Sequence, residues 1–399
     1  MIHLNLKNMV KLAIFYGLLI IDKKLYHYNF NIHPFYLLNK KPILLLDKTK
    51  KKIFKKGRKY LDKCLTCNNH NKYKYIKHPK ASIIIPLHNC QSTIKPAIHS
   101  IQYQNMTKIE IILINDYSID DTYKIIKNLQ KYDQRIKIIN NKKNMGAFYS
   151  RAIAALISKG EYIFGLDNDD MYFYHDVFDY IYKRGKCENL DIIGFLTVNL
   201  WNYTATIRKM KNIYTYQYPE EFYLEQPELG TWMIKFNGYF LVHNNMIWDK
   251  CIKSLIYKKA VNLLGYHRYS TFLIWAEDAS INFVIFNLAN SFKYIHKYGI
   301  LHYKSNTTAS LTQSNDIRVF GEIFFLDIIF DFSRNTSEDK NLIVGQVLYI
   351  YKRYNITKYN NDPNSNYLKS VLNKIINCKY LNKLNIRKLS KLYISFFIN

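Results

Sequence analysis

An α/β fold with a largely parallel sheet is what this chain predicts, and three features of its middle third carry that expectation. Between Ala81 and about Thr197, apolar runs of four to six residues alternate with amphipathic stretches of 12 to 15, the rhythm of repeated βα units. The apolar runs hold β-branched residues in succession, as expected of strands buried on both faces. The polar groups best suited to chemistry follow those runs directly, and open α/β sheets bind ligands outside the carboxyl ends of their strands.

Taken in order, residues 1–80 form a Lys- and Tyr-rich N-terminal extension, in which KTKKKIFKKGRK reads as a solvated charge block. ASIIIP, with Ile83, Ile84 and Ile85 in succession, is the first strand, ended by Pro86. Residues 92–104 read as a helix, IEIILIN as the second strand, and Asp120 or Asp121 as the cap of a helix carrying Ile125, Ile126 and Leu129 at helical spacing. RIKIIN is a third strand, residues 146–159 an Ala-rich helix, and EYIFGL a fourth strand running into Asp167, Asn168, Asp169 and Asp170. His88 and Asn89 follow the first strand, Asp116 the second, and Asp167 and Asp169 the fourth. Beyond residue 200 the rhythm fades into aromatic-rich sequence, and from about 313 the chain is Lys-studded helix. The expected division is 1–80 as extension, 81–200 and 201–312 as two halves of one domain, and 313–399 as a basic helical extension. The final helical stretch, with Leu and Ile at helical intervals, reads first as one that closes the protein's own core.

Composition narrows the function classes. A 399-residue chain that is 48% hydrophobic can bury a sizeable core, which excludes a disordered chain. The formal charge of +28 comes mostly from Lys scattered among Asn, Ile and Tyr, with no compact Arg-rich stripe. A dedicated nucleic-acid role is therefore set aside, and the field suits an anionic small molecule such as a nucleotide diphosphate. Six cysteines spread along the chain do not form a dense disulfide pattern, and Cys64 and Cys67, a lone CxxC near His70 and His78, read as ordinary thiols. The apolar run LAIFYGLLII at residues 12–21 falls well short of the roughly 20 residues that span a bilayer, so it reads as a buried or interfacial helix. Cytoplasmic or membrane-associated placement is favoured, with a secretory lumen the alternative if that run acts as a signal or anchor.

An acid-x-acid triplet at a strand end lets a turn aim two carboxylates at one cation, and hard divalent ions take oxygen ligands while substrate phosphates fill the remaining positions. Here the series ASIIIPLHN, IEIILINDYSIDD, RIKIINNKKNMGAFYSRA and KGEYIFGLDNDD resembles the family 2 glycosyltransferases in order and spacing. The resemblance covers about ninety residues, with weaker echoes in IWDKCIK and WAEDAS. It implies a GT-A fold, a Rossmann-like mixed sheet flanked by helices with a less regular acceptor half, and transfer of a sugar from a nucleotide-sugar donor with inversion.

The resemblance also implies roles. Pro86, Leu87 and His88 fall where the family packs on the donor's base, and Asp116 where a second-strand acid accepts a base N–H. Asn144 and Gly146 match the N-x-G turn, Arg151 an arginine that reaches the donor, Asp167 a ribose contact, and Asp169 the ligand of Mn²⁺ or Mg²⁺. Asp278 matches the general base, with Glu277 beside it, both at the expected start of a helix. Tyr117 stands where the family has glycine and is expected to leave that loop less tightly turned. Trp232, Trp248, Tyr266 and Trp275 are candidates for stacking on sugar rings, and His302 for a return to the site.

The Q-x-x-R-W motif and membrane helices of processive synthases are missing from the sequence, so a single addition to a glycan, lipid or protein is expected, with peripheral membrane contact through basic amphipathic segments. A sugar-nucleotide pyrophosphorylase would need a Gly-rich phosphate loop where IPLHNCQS stands, and a dehydrogenase G-x-G-x-x-G after Ile85. The non-enzyme alternative, a degenerate member that only binds a glycan or partner, sits poorly with the presence of Asp167, Asp169, Glu277 and Asp278.

Overall fold

The structure is a computed structural model that describes residues 73–201, 246–304, 314–334 and 363–376, with short pieces of strand and helix between them. The 12–21 run, the Lys-rich block, Cys64, Cys67, His70 and Trp232 lie outside the described residues.

The expected βα series of four strands and three helices is present. Strands β1 (Ala81–Leu87), β2 (Ile109–Asn115), β3 (Ile136–Asn140) and β4 (Tyr162–Gly165) alternate with helices α1 (Ile94–Gln102), α2 (Thr122–Tyr132) and α3 (Gly146–Ile157). They pair in parallel in the order β3-β2-β1-β4. Pro86 falls after the last β1–β4 pair, Ile84 with Gly165, so its missing N–H leaves no gap in that ladder. Helix α1 starts two residues later than the sequence implies, because the Cys90 carbonyl accepts from both Thr93 N and Ile94 N in a preceding turn. Pro96 lies in its first turn, where a helix does not use the N–H. Asp121 stands at the start of α2 without capping it; the carboxylate of Asp120 accepts from Thr122 N instead.

Beyond β4 the sheet becomes mixed. Short β5 (Met171–Tyr172) and helix α4 (Val177–Cys187) lead to β6 (Ile192–Trp201), and β7 (Ile213–Tyr214) and β8 (Phe222–Glu225) pair with β6 and β12. A separate hairpin joins β9 (Met233–Phe236) to β10 (Tyr239–Val242). Strand β11 (Lys250–Lys253) inserts antiparallel between β4 and β6, and β12 (Ser291–Lys304) runs parallel to β6, giving the order β3-β2-β1-β4-β11-β6-β12-β5. Between β11 and β12 come α5 (Ser254–Leu264), α6 (Tyr266–Tyr269) and α7 (Glu277–Leu288); α8 (Asn315–Phe332) and α9 (Pro363–Ile376) follow.

Alternation along the central strands divides the core in two. Ile83, Ile85, Ile111 and Leu113 enter one cluster with α1 and α4, and Ile84, Ile112 and Ile114 enter the other with α3, α5 and α7. The second cluster also takes Ile323, Phe325, Ile329, Leu368 and Leu372, so α8 and α9 close the same core that supports α7. No helix among the described residues is long and apolar enough to cross a membrane.

Candidate active site

The carboxyl ends of β1, β2 and β4 meet the start of α7, and the candidate residues gather there. Asp116, just past β2, is buried, and its backbone N donates to Leu87 O at 2.7 Å. Its carboxylate accepts from Met145 N (2.8 Å), Gly146 N (2.7 Å) and Asn141 Nδ2 (2.7 Å). Three donors on one buried carboxylate fix the N-x-G turn, and Gly146 has φ +86°, a conformation glycine adopts freely. A Cβ there would also press on the Phe272 ring at 3.3 Å.

Tyr117 corrects one expectation. It adopts φ +58° despite its side chain, so the loop turns as sharply as a glycine would turn it. The conformation is held by its neighbours: Ser118 N donates to Asn115 Oδ1, Asn89 N to Ser118 Oγ, and Ile119 N to Asn89 Oδ1. Asn89 itself has φ +48°.

His88 Nδ1 lies 2.7 Å from the carbonyl of Asp116. A carbonyl only accepts, so Nδ1 carries the proton and Nε2 is left to accept from Asn89 Nδ2 and Asn144 Nδ2. The Leu87 side chain is fully buried in the core with its carbonyl accepting from Asp116 N, and Pro86 is buried with its carbonyl accepting from Asn168 Nδ2, so both position the loops around them.

Arg151, projecting from α3, is buried and faces three carboxylates. Its Nη2 donates to Asp167 Oδ1 at 2.7 Å, and its Nη1 lies 2.9 Å from Asp278 Oδ1 and 3.7 Å from Glu277 Oε1. The guanidinium expected to reach the donor is thus a bridge from the β4 acid to the acid pair on α7. Nη1 and Asp278 Oδ1, though close, are not aligned as a hydrogen bond, and both are buried. Glu277 and Asp278 occupy the first turn of α7 as expected, after Ala276 at φ +62°. Asp278 Oδ2 accepts from Ile247 N at 3.3 Å, which ties the acid pair to the IWDKCIK segment.

Burial sets the electrostatics. It pushes Glu277 up to about 7, with the Asp278 charge adding to the effect and Arg151 opposing it. Burial also raises Asp278, while Arg151 opposes the rise. Asp169 is pushed up to about 7 by burial and by the charges of Asp170 and Asp167, against His302.

Sequence reasoning offered His302 for a return to the site without naming its partner, and it passed over Lys250. Asp170 is fully buried and meets His302 Nδ1 at 2.9 Å, and the imidazole stacks on Trp248 with ring centroids 4.6 Å apart. Trp248 is thus covered by His302, and Trp275 donates to Glu322 Oε1 at 2.7 Å; of the aromatic candidates in the described residues, Tyr266 is the exposed one. Lys250, almost fully buried, donates to Asp249 Oδ1 at 2.7 Å, and after Arg151 its charge also opposes the rise that burial imposes on Asp278. The signal for both was their place, Lys250 inside IWDKCIK and His302 on the strand pairing with β5, which pairing alone reveals.

Among the described residues no group of three or more His, Cys, Asp or Glu is arranged to hold a metal ion. The donor set at the β4 end suits a cation that brings its own phosphate ligands: negative charge from Asp167 and Asp170 accumulates around Asp169, and Mg²⁺-type ions commonly take one or two carboxylates with substrate phosphates.

Comparison with known proteins agrees with this architecture. Residues 82–247 match the family model described as Glycosyl transferase family 2; Glu277 and Asp278 lie beyond the matched stretch. A GalNAc(5)-diNAcBac-PP-undecaprenol beta-1,3-glucosyltransferase of Campylobacter jejuni is 40% identical over 93 residues, 23% of this chain and 30% of that protein. A UDP-Glc:alpha-D-GlcNAc-diphosphoundecaprenol beta-1,3-glucosyltransferase of Escherichia coli is 44% identical over 89 residues, 22% of this chain and 35% of that protein. The chain thus spans about a third of the length of these curated relatives. The crystal structure of S. aureus TarS 1-349 in complex with UDP-GlcNAc superposes with a TM-score of 0.54 at 13% identity, covering 80% of this chain and 92% of that one. Residues 82–247 are thus a family 2 glycosyltransferase domain, and the sheet they belong to has the GT-A fold.

Proposed function

We propose that this protein transfers a single sugar from a nucleoside-diphosphate sugar, UDP-linked, to a hydroxyl of a lipid-linked acceptor, with inversion. The observation that carries the reading is the bridge of Arg151 between Asp167, on the donor side, and Asp278, on the acceptor side. Support for the donor comes from the Asp116-anchored turn and from the TarS complex with UDP-GlcNAc. Support for the acceptor comes from relatives whose names specify undecaprenol-linked diphosphates.

In this reading Asp278 takes the proton of the acceptor hydroxyl as that oxygen attacks the anomeric carbon opposite the leaving diphosphate. Its two neighbours set its state. Arg151 favours the carboxylate, and Glu277, raised to about 7, keeps a proton near neutrality and so spares Asp278 a second adjacent charge. In the same reading Asp167 contacts a ribose hydroxyl, and His88 and the Asp116 loop the base. Asp169 would hold a Mn²⁺ or Mg²⁺ ion shared with the diphosphate, and that ion supplies charge neutralisation to the leaving group.

Calorimetry with UDP tests the donor side. Mn²⁺ is expected to raise affinity for the wild-type protein, and Asp169→Asn to abolish that increase with the metal-free affinity retained. Wild-type affinity indifferent to EDTA would overturn the metal-assisted reading.

A further inference from the structure

Helices α5 and α6, with the loop that follows them, present an exposed apolar surface. Leu255 is 71% exposed, Tyr266 62%, Leu263 48% and Phe272 47%. Leu255 and Leu263 share the outward face of α5 with Lys259, while Lys258 turns its ammonium to the Ser158 carbonyl at 2.7 Å. The opposite face, through Ile256, Ala260, Val261 and Leu264, is buried in the core. Helical periodicity thus leaves two leucines outside the apolar stripe, in water.

The charge of this surface is one-sided. From Lys250 to Ala276 the sequence contains no Asp or Glu. The carboxylate packed nearby, Asp331, is paired with Arg268 and Lys374. Exposed leucines and aromatics beside lysines, with no acid among them, match the composition of a helix lying at the interface of an anionic bilayer, where apolar groups enter the headgroup boundary and lysines meet lipid phosphates.

Its position adds the second argument. Helix α5 packs against α7, whose first turn holds Glu277 and Asp278, and Phe272 lies against Gly146 of the donor-side turn. A lipid surface on this face sits beside the mouth of the site.

We propose that the outward face of α5 and α6 is a membrane-interface contact that seats the protein on an anionic phospholipid surface, so that a lipid-linked acceptor offers its head group to Asp278. The choice of acceptor rests on the function proposed above; the contact with lipid does not.

The test is co-sedimentation of the full chain with vesicles of phosphatidylcholine, with and without phosphatidylglycerol. Binding is expected to the anionic vesicles. Leu255→Gln/Leu263→Gln is expected to weaken it at least about tenfold, an effect that persists at high salt because apolar insertion is unscreened. Lys259→Gln is expected to weaken it about fivefold at low salt alone. All three positions are surface-facing, so melting temperatures and transfer to a water-soluble acceptor analogue should stay at the wild-type level. Equal binding by wild type and both variants overturns the proposal, as does a wild-type dimer in solution that the leucine variant converts to monomer. Vesicle binding with no transfer to any acceptor would leave this contact standing and overturn the proposed function instead.

Discussion

Replacing Arg151 with methionine removes a buried cation from between three carboxylates while keeping most of its volume. Loss of one partner of a buried pair costs about 3–5 kcal/mol, because the remaining charge stays desolvated. The lower end applies here, about 3 kcal/mol at pH 8, since Asp167 is 27% exposed and water can serve it. The penalty should depend on pH, with a definite sign. Glu277 is raised from its ordinary 4.5 to about 7, so between those values the native state binds more protons than the unfolded chain, and stability falls as pH rises through that window. Arg151 opposes the upward shift of both Glu277 and Asp278, so removing it raises them further and extends the loss to higher pH. One extra proton bound by the native variant makes the penalty about 1–2 kcal/mol smaller at pH 6 than at pH 8, given about 1.4 kcal/mol per proton per pH unit. Urea unfolding at both pH values measures it, with Arg151→Lys as a control that keeps the charge and loses the fork, and so costs less. A methionine variant as stable as wild type at pH 8, or one hurt more at pH 6, refutes the bridge as the element joining the two sides.

Two further substitutions probe the donor-side loops. Asp116→Asn retains shape but replaces an acceptor oxygen with an NH₂ group facing backbone N–H donors; stability should fall by about 2–3 kcal/mol in urea unfolding, with UDP affinity reduced in calorimetry as the Gly146 turn loosens. Tyr117→Gly should leave stability unchanged or raise it by up to about 1 kcal/mol, because relief of left-handed strain is offset by the backbone entropy of glycine, whereas Tyr117→Val should cost about 1 kcal/mol or more.

What the sequence made legible follows from local signals. Isoleucine-rich runs identify β1 and β2 because strands buried on both faces need no polar alternation, and the polar residues after them, His88 and Asp116, sit where such strands end. Glu277 and Asp278 were legible as the start of α7 because an apolar run follows them directly. Tyr117 was misread because residue preference describes a residue alone, while Asn89, Asn115 and Ser118 hold the turn from two separate loops. The partners of Arg151 were hidden because its contacts, Asp167 and Asp278, come from a strand end and a helix more than a hundred residues apart, brought together by the antiparallel insertion of β11. The Asp170–His302 pair depends likewise on β12 returning beside β5, a pairing that no periodicity announces.

The most direct measurement of the central claim is transfer from a panel of UDP-sugars to a polyprenyl-diphosphate-linked acceptor by the wild-type protein and Asp278→Asn, with donor affinity followed in parallel. The asparagine keeps the shape of the side chain and can still accept from Ile247 N, but takes no proton. The account predicts turnover by wild type, a loss of about 10²- to 10⁴-fold in the variant, and UDP affinity and melting temperature close to wild type. Transfer by the variant within a few fold of wild type would contradict it.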